Sequence, residues 1–434
     1  MSGPTTLARA VSLAARMPGP LLPMGVMAAA AASTGSMFTT ATLTAAALVG
    51  ISISAPAASA SAERFGARNV LLVSAIAHVL MLVLMVSSVD RLTRGDTLTA
   101  DATIYTLLLL FTLIAGLSVP AVATFSRADT WTRKQGVSVW HGLRVEGRLD
   151  DAALIAAPLL LAGLSFSFGP TVGLLSSAVL TAVAVPLYAV ERTDPLEVPT
   201  ETARLPLGGA EHAQQQLLEH RRLAPAQAPA WARGISAAIA LAGALGLVLG
   251  GLWISVLGAA QALARPSLFA LTLGLLAAAA VLGARWKPSR FTEPLVLRRR
   301  RLHVVALLGL SLLLVLLAVV IPVGLVSLLV ISGIAVLQSA VLGRLVLGLY
   351  AGLALGVPTR RLPVAMPAVA GGVLLGIALG LTLAGIGADE IGLGASAAVA
   401  LAGSLLAGVV VFSGQLWGSP ERRVDHPVPV PDGD

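Results

Sequence analysis

The sequence predicts an all-α polytopic membrane protein of twelve spanning helices arranged as two bundles of six. Three observations predict it. Hydrophobic residues fill 56% of the 434 positions and charged residues only 12%, against about 25% charged in a soluble domain. The apolar residues fall into twelve long runs, each near the roughly 20 residues that a helix needs to cross a bilayer. Those runs come as six, a polar interval, then six more. A soluble enzyme, a disordered chain and a disulfide-rich secreted fold are excluded by this composition, since a single soluble core rarely grows past about 250–300 residues. The chain has no cysteine, which removes disulfides, thiolate metal sites and cysteine nucleophiles from consideration.

The first six runs lie at 20–37, 38–59, 70–88, 103–125, 151–169 and 171–189, and the second six at 235–258, 267–284, 303–321, 324–355, 366–387 and 394–415. They are continuous and rich in Leu, Ala, Val and Gly, without the alternation of a membrane β-strand. A helix satisfies every backbone polar group within its own segment, as lipid requires. An N-terminal bundle is therefore expected over 1–189 and a linker rich in Pro, Glu, Gln and Arg over 190–234. A C-terminal bundle over 235–415 and a tail over 416–434 complete the chain. Equal numbers of spans on either side of a linker suggest an internal repeat of the kind found in secondary transporters. The stretch Ala55–Ala62 (APAASASA) looks like a signal-peptidase site, but it follows two apolar runs and precedes a basic loop, so no cleavage is expected there.

Loop charge sets the expected orientation. With the N-terminus in the cytoplasm, 25 of the 29 Lys and Arg residues fall on the cytoplasmic side, and only Arg91, Arg94 and Arg265 fall on the other. The positive-inside rule then places both termini in the cytoplasm, with the plasma membrane as the expected location. The net charge of +8 is read as a basic membrane face. Within it, the run Arg298, Arg299, Arg300 and Arg301 is expected to contact anionic lipid headgroups. Nucleic acid is not an expected partner, because its binding wants such a patch on a folded domain with interleaved aromatics.

Glu63–Leu72 (ERFGARNVLL), between spans 2 and 3, resembles the signature loop of the major facilitator superfamily. Arg64, Gly66 and Arg68 fit its pattern, Glu63 replaces its aspartate, and Ser59 stands at its first glycine. Arg144–Pro158 (RVEGRLDDAALIAAP) resembles the opening of the fifth helix in a branch of efflux permeases from high-GC bacteria. Glu146, Asp150, Asp151 and Pro158 fall on that branch's acidic and proline positions. Ser126–Trp131 (SRADTW) is similar to an arginine–aromatic segment closing the fourth helix, and Thr34–Ser36 (TGS) to part of the first. The likeness covers roughly residues 16–195. The second half shares only its span number and Thr359–Met366 (TRRLPVAM). The resemblance implies a secondary transporter working by alternating access, with its cavity lined by spans 1, 4, 7 and 10.

Read as a gate latch, Glu63, Arg64, Gly66, Arg68, Arg127, Glu146, Asp150 and Asp151 would gather at the cytoplasmic surface. Ion pairs that form in one state and part in the other supply the few kcal/mol by which two packings differ. The plainer reading is that these are solvated loop charges and helix caps. Asp150 and Asp151 stand just before an apolar run, where carboxylates favour a helix N-terminus.

Cavity candidates on the lining spans are Thr34, Ser36, Tyr105, Thr112, Trp253, Gln338, Ser339 and Arg344. Hydroxyls and one amide with little charge suit a neutral or amphiphilic solute, although small polar residues also serve close helix packing. Arg344 either faces the cavity or, with helix 10 ending near Gly343, snorkels to the surface.

No Asp or Glu occupies the middle of a run. That leaves His78, Asp150 and Asp151 for the proton coupling the resemblance implies, with His78 equally readable as a packing residue. Nucleotide-loop, zinc-protease and serine-hydrolase motifs are missing, so no metal or cofactor is expected. An enzyme is not expected either, because Asp389 and Glu390, the best acids on the outer side, have no nucleophile nearby. The expected function is export of a small hydrophobic or amphiphilic solute. The alternative is a transport-inactive relative serving as a membrane partner or assembly protein.

Overall fold

Where lipid leaves the backbone no partner but itself, each apolar run coils, and breaks come where proline removes a donor. A computed structural model describes residues 6–94, 98–133, 137–191, 230–263, 265, 267–285, 293–322, 324–357 and 362–413. Most of the expected linker and the tail lie outside them. Span 1 is two helices, α1 (Thr6–Arg16) and α2 (Pro18–Thr34), with Pro18 opening the second, a position where a missing N–H costs nothing. Span 4 is likewise α5 (Leu98–Leu117) and α6 (Val122–Arg133), with Pro120 between them. The other spans of the first half are α3 (Met37–Phe65), α4 (Ala67–Arg94), α7 (Val137–Phe168) and α8 (Val172–Glu191). The second half comprises α9 (Ala230–Gln261), α10 (Ser267–Arg285), α11 (Glu293–Val320), α12 (Leu325–Gly356), α13 (Leu362–Glu390) and α14 (Leu393–Phe412). Eleven helical stretches are long and apolar enough to cross a membrane. The twelfth span, α2, has 17 residues and is continued by α1.

Two boundaries correct the sequence reading. Helix α7 begins at Val137 and not at 151, so Asp150 and Asp151 lie more than three turns inside it and cap nothing. Helix α12 runs unbroken through Gly343 to Gly356. Arg344 therefore sits in mid-helix, about 18 Å from its end at 1.5 Å per residue, and the snorkelling geometry that required an end at Gly343 does not exist.

The bundles are apolar both in their cores and on their outer faces, as a membrane protein's are. Val73, Ile76, Leu80 and Val83 share one face of α4 and are 52–71% exposed, the face that lipid would cover. Within the first bundle Leu22, Leu43, Leu82, Leu108 and Leu174 form a buried core. Helix pairs close to backbone contact where glycines allow it. A side chain at Gly376 of α13 would strike the Gly243 carbonyl of α9, and one at Gly50 of α3 would strike the Leu113 carbonyl of α5. Between the bundles, α3 packs along α13 and α7 along α10. The largest apolar cluster crosses this seam, joining Met24, Met27 and Leu161 to Leu241, Val248 and Phe269. Arg16, Arg64, Arg127 and Arg285 share one end of the molecule, called here the basic end. The α2–α3 turn, Arg265 and Asp389 lie at the opposite end.

Candidate functional site

The basic end is organised by Arg16, in the last turn of α1, where a cation suits the helix dipole. Its side chain is only 3% exposed and pairs with Glu146 and Asp150 of α7, Nε lying 2.9 Å from Asp150 Oδ1. Ser126 of α6 donates its hydroxyl to Glu146, and Arg127 pairs with Asp150. Glu146 and Asp150 stand four residues apart on one helix face, so a single stripe of α7 ties α1 and α6 to itself. Asp151 is rotated by a further 100° or so. It turns to the other bundle and pairs with Arg285 at the end of α10, with the two side chains 37% and 50% exposed. This pair crosses between the halves.

Of the expected latch, the structure therefore gathers Arg127, Glu146, Asp150 and Asp151 and leaves out the signature loop. Glu63, Arg64 and Arg68 are exposed and make no ion pair with a described residue. Gly66 is a turn residue at φ 80°, closing α3 through its N–H to the Ala62 carbonyl. Sequence reasoning missed Arg16 and Arg285, which it counted only as topological charges. The signal available for Arg16 was the proline after it, which ends α1 and sets the guanidinium at a helix C-terminus.

At the opposite end, Gly35 (φ 68°) ends α2 and Ser36 caps α3, accepting from the Thr39 N–H at 3.1 Å. Asp389, in the last turn of α13, reaches this turn from the other bundle. Its Oδ1 accepts the Met37 N–H at 2.9 Å, and its Oδ2 accepts the Phe38 N–H at 3.0 Å and the Ser36 hydroxyl at 2.8 Å. Gln261, at the end of α9, donates its amide to the Ala31 carbonyl at 2.9 Å. Beside this seam lies a cleft of about 310 Å³ walled by both bundles. Ala28, Ser165, Phe166 and Pro170 come from one half and Arg265, Ser267 and Ala270 from the other.

The expected cavity lining does not gather around one space. Thr34 and Thr112 return their hydroxyls to the Ala30 and Leu108 carbonyls, and Tyr105 bonds Thr42 at 2.7 Å within the first bundle. Gln338 donates to Ser311 at 2.7 Å, which joins Ser404 at 2.7 Å, so the amide serves the interior of the second bundle. Ser339 is buried, Trp253 packs half-buried on the large cluster, and Arg344 is half-buried on α12. In an apolar medium a hydroxyl takes the nearest carbonyl, usually one turn back on its own helix, and that local bond outcompetes a shared cavity.

His78 is fully buried among α4, α5 and α8. Its Nδ1 lies 2.8 Å from the Ala115 carbonyl and its Nε2 3.3 Å from Ser177 Oγ. Arg300 corrects the lipid reading. It is buried and donates to the Gly348 carbonyl of α12, whereas Arg301 lies exposed over the Phe412 ring at 5.6 Å. The side chains of Arg298 and Arg299 lie outside those described. Among the described residues no group of three or more His, Asp or Glu could hold a metal.

No family model matches the sequence, and no curated protein matches it. Solved structures do match in fold. The nucleoside transporter NupG superposes with a TM-score of 0.65 at 11% identity, covering 95% of this chain and all of that one. The xylose transporter XylE from E. coli, in an inward open conformation, gives 0.64 at 13% identity over 93% of this chain and 96% of its own. A POT family transporter in complex with 5-aminolevulinic acid gives 0.61 at 12% identity, over 93% and 94%. The chain thus has the two-bundle fold of these membrane transporters, in line with the major facilitator fold that the signature-loop resemblance implies.

Proposed function

We propose that this chain is a secondary active transporter of the plasma membrane that exports a small hydrophobic or amphiphilic solute by alternating access, basic end in the cytoplasm. The observation that carries this reading is the cleft walled by both bundles at the end opposite the basic end, together with polar contacts that cross the seam at each end of the molecule and lie where water can replace them. Alternating access needs two packings of nearly equal energy, and replaceable contacts keep that difference small. The cleft walls offer Phe166, Pro170 and alanines to an apolar body, with the Ser165 and Ser267 hydroxyls and the Arg265 cation at hand for a polar head. Of the three coupling candidates, Asp150 and Asp151 are reached by water while His78 is sealed in its bundle, so proton coupling is assigned here to the two aspartates.

The test is flux in liposomes. The purified chain should move a fluorescent amphiphile in response to an imposed gradient, and Ser267→Trp, which fills the cleft, should stop that movement without lowering the unfolding temperature. Single cysteines at Asn69 and Ser167, free of background in this chain, should label from opposite sides of the membrane. Absence of flux for neutral, cationic and anionic amphiphiles alike would favour the transport-inactive partner instead.

A further inference from the structure

The turn between α2 and α3 is held from both of its ends by the other bundle. A helix start leaves its first N–H groups without intrahelical partners, and a helix end leaves its last carbonyls. At the start of α3, Ser36 serves Thr39, while Met37 and Phe38 give their N–H groups to Asp389 of α13. At the end of α2, the Ala31 carbonyl takes the Gly35 N–H and also the amide of Gln261 from α9. The second bundle therefore presents an anion to a helix N-terminus and a donor to a helix C-terminus, each matched in sign to the dipole it meets.

Gly385 lies one turn before Asp389 on the same face of α13. A Cβ there would stand 2.8 Å from the Met37 carbonyl oxygen and 2.7 Å from the Ala41 side chain, so this glycine admits the close approach that brings the carboxylate within reach. From these contacts we infer that Gln261 and Asp389 form the latch of the gate at the end opposite the basic end, and that their release from the α2–α3 turn opens the inter-bundle space there. The inference rests on the alternating-access reading above.

A fixed joint would be built differently. The α9–α13 seam repeats the approach of glycine to backbone carbonyl at Gly246, Gly250, Gly376 and Gly380, whereas at the α2–α3 turn Gly385 alone of the described glycines makes it and polar contacts to Asp389 accompany it. Asp389 and Phe38 are exposed. When the turn moves away, water takes over the exposed carboxylate and the Phe38 N–H, and it reaches the Met37 N–H, buried while the seam is closed, as the turn leaves. The contact therefore adds a modest preference for the closed position and releases without a large barrier.

The experiment uses the cysteine-free full chain in liposomes with one reporter, Ala31→Cys, which is 3% exposed behind the latch as alanine. Labelling by a membrane-impermeant maleimide is expected to rise about fivefold with Asp389→Asn, the shift expected when a helix cap is lost. Gln261→Leu should raise it about threefold, as for one neutral hydrogen bond. Ser36→Ala, which removes one of the three bonds to Asp389 together with the α3 cap on Thr39, should raise it about twofold. Glu390→Gln, the neighbouring carboxylate, should leave it unchanged. Unchanged labelling in both Asp389→Asn and Gln261→Leu overturns the latch even where flux continues. Raised labelling in a chain that shows no flux keeps the latch and defeats the transporter reading, so the two failures are distinct.

Discussion

At the basic end, Arg16, Arg127, Glu146 and Asp150 are all supplied by the first bundle and are tied to one another, and Asp151 alone of these acids reaches across to Arg285. At the opposite end, the described contacts across the seam contain no full ion pair, and a carboxylate and an amide grip the ends of two helices. The most deeply buried of these charges, Arg16, works inside one rigid unit, and the charged side chains that cross between units, Asp151, Arg285 and Asp389, are reached by water. The physical reason is the cost of separation. A buried pair that parts leaves a desolvated charge behind, whereas an exposed pair exchanges its partner for water at little cost. Bundles that must stay intact can use the first kind, and a seam that must open needs the second.

Three sets of substitutions would break or sharpen this contrast. The largest effect is expected from Arg16→Ala, which takes the buried cation from two carboxylates that are 14% and 23% exposed and leaves Glu146 with Ser126 and Asp150 with the exposed Arg127. Removing one partner of a buried pair costs about 3–5 kcal/mol, and the residual exposure here points to about 3 kcal/mol at the low end of that range. Chemical unfolding in detergent would measure it. If Arg16→Ala unfolds at the same denaturant concentration as the parent chain, the basic-end network is not what holds α1, α6 and α7 together.

A smaller effect is expected from Asp151→Asn or Arg285→Gln, where an exposed pair is worth about 0.2–1 kcal/mol. Unfolding should barely register either change. Flux rate and the accessibility of a cysteine at the basic end should both move, because this pair joins the halves. A loss of stability as large as that of Arg16→Ala would erase the distinction between a contact within a bundle and one across the seam. The smallest effect is expected from Glu63→Gln combined with Arg64→Ala. Both side chains are exposed and neither pairs with a described residue, so stability should not change measurably. A large drop in flux from that double change would restore the signature loop to the gate.

Much of the fold was legible in the chain. Twelve apolar runs became twelve spans, and the two spans that break do so beside Pro18 and Pro120, residues whose effect on a helix is local. The site was legible only in part. Glu146, Asp150 and Asp151 were recognisable as a cluster, but their direction was not, because it depends on where α7 begins. A start at 151 would have made the aspartates caps. The actual start at Val137 makes them one face and its neighbour. The hydroxyls of Thr34, Tyr105 and Thr112 misled for a related reason. Their spacing placed them on lining helices, yet a carbonyl one turn away or a hydroxyl on the adjacent helix is nearer than any cavity.

What the chain by itself determined is everything that depends on the solvent around each segment: which stretches coil, how many cross, and which loops are basic. Those outcomes follow from transfer energies summed over about 20 neighbouring residues, and such sums are written in linear order. Tertiary structure alone decided which charges meet. Asp389 finds Met37 and Phe38 more than 350 positions away, and Arg16 finds Glu146 at a separation of 130. Each pairing is selected by geometry within a few ångströms, and no local sum along the chain contains that information.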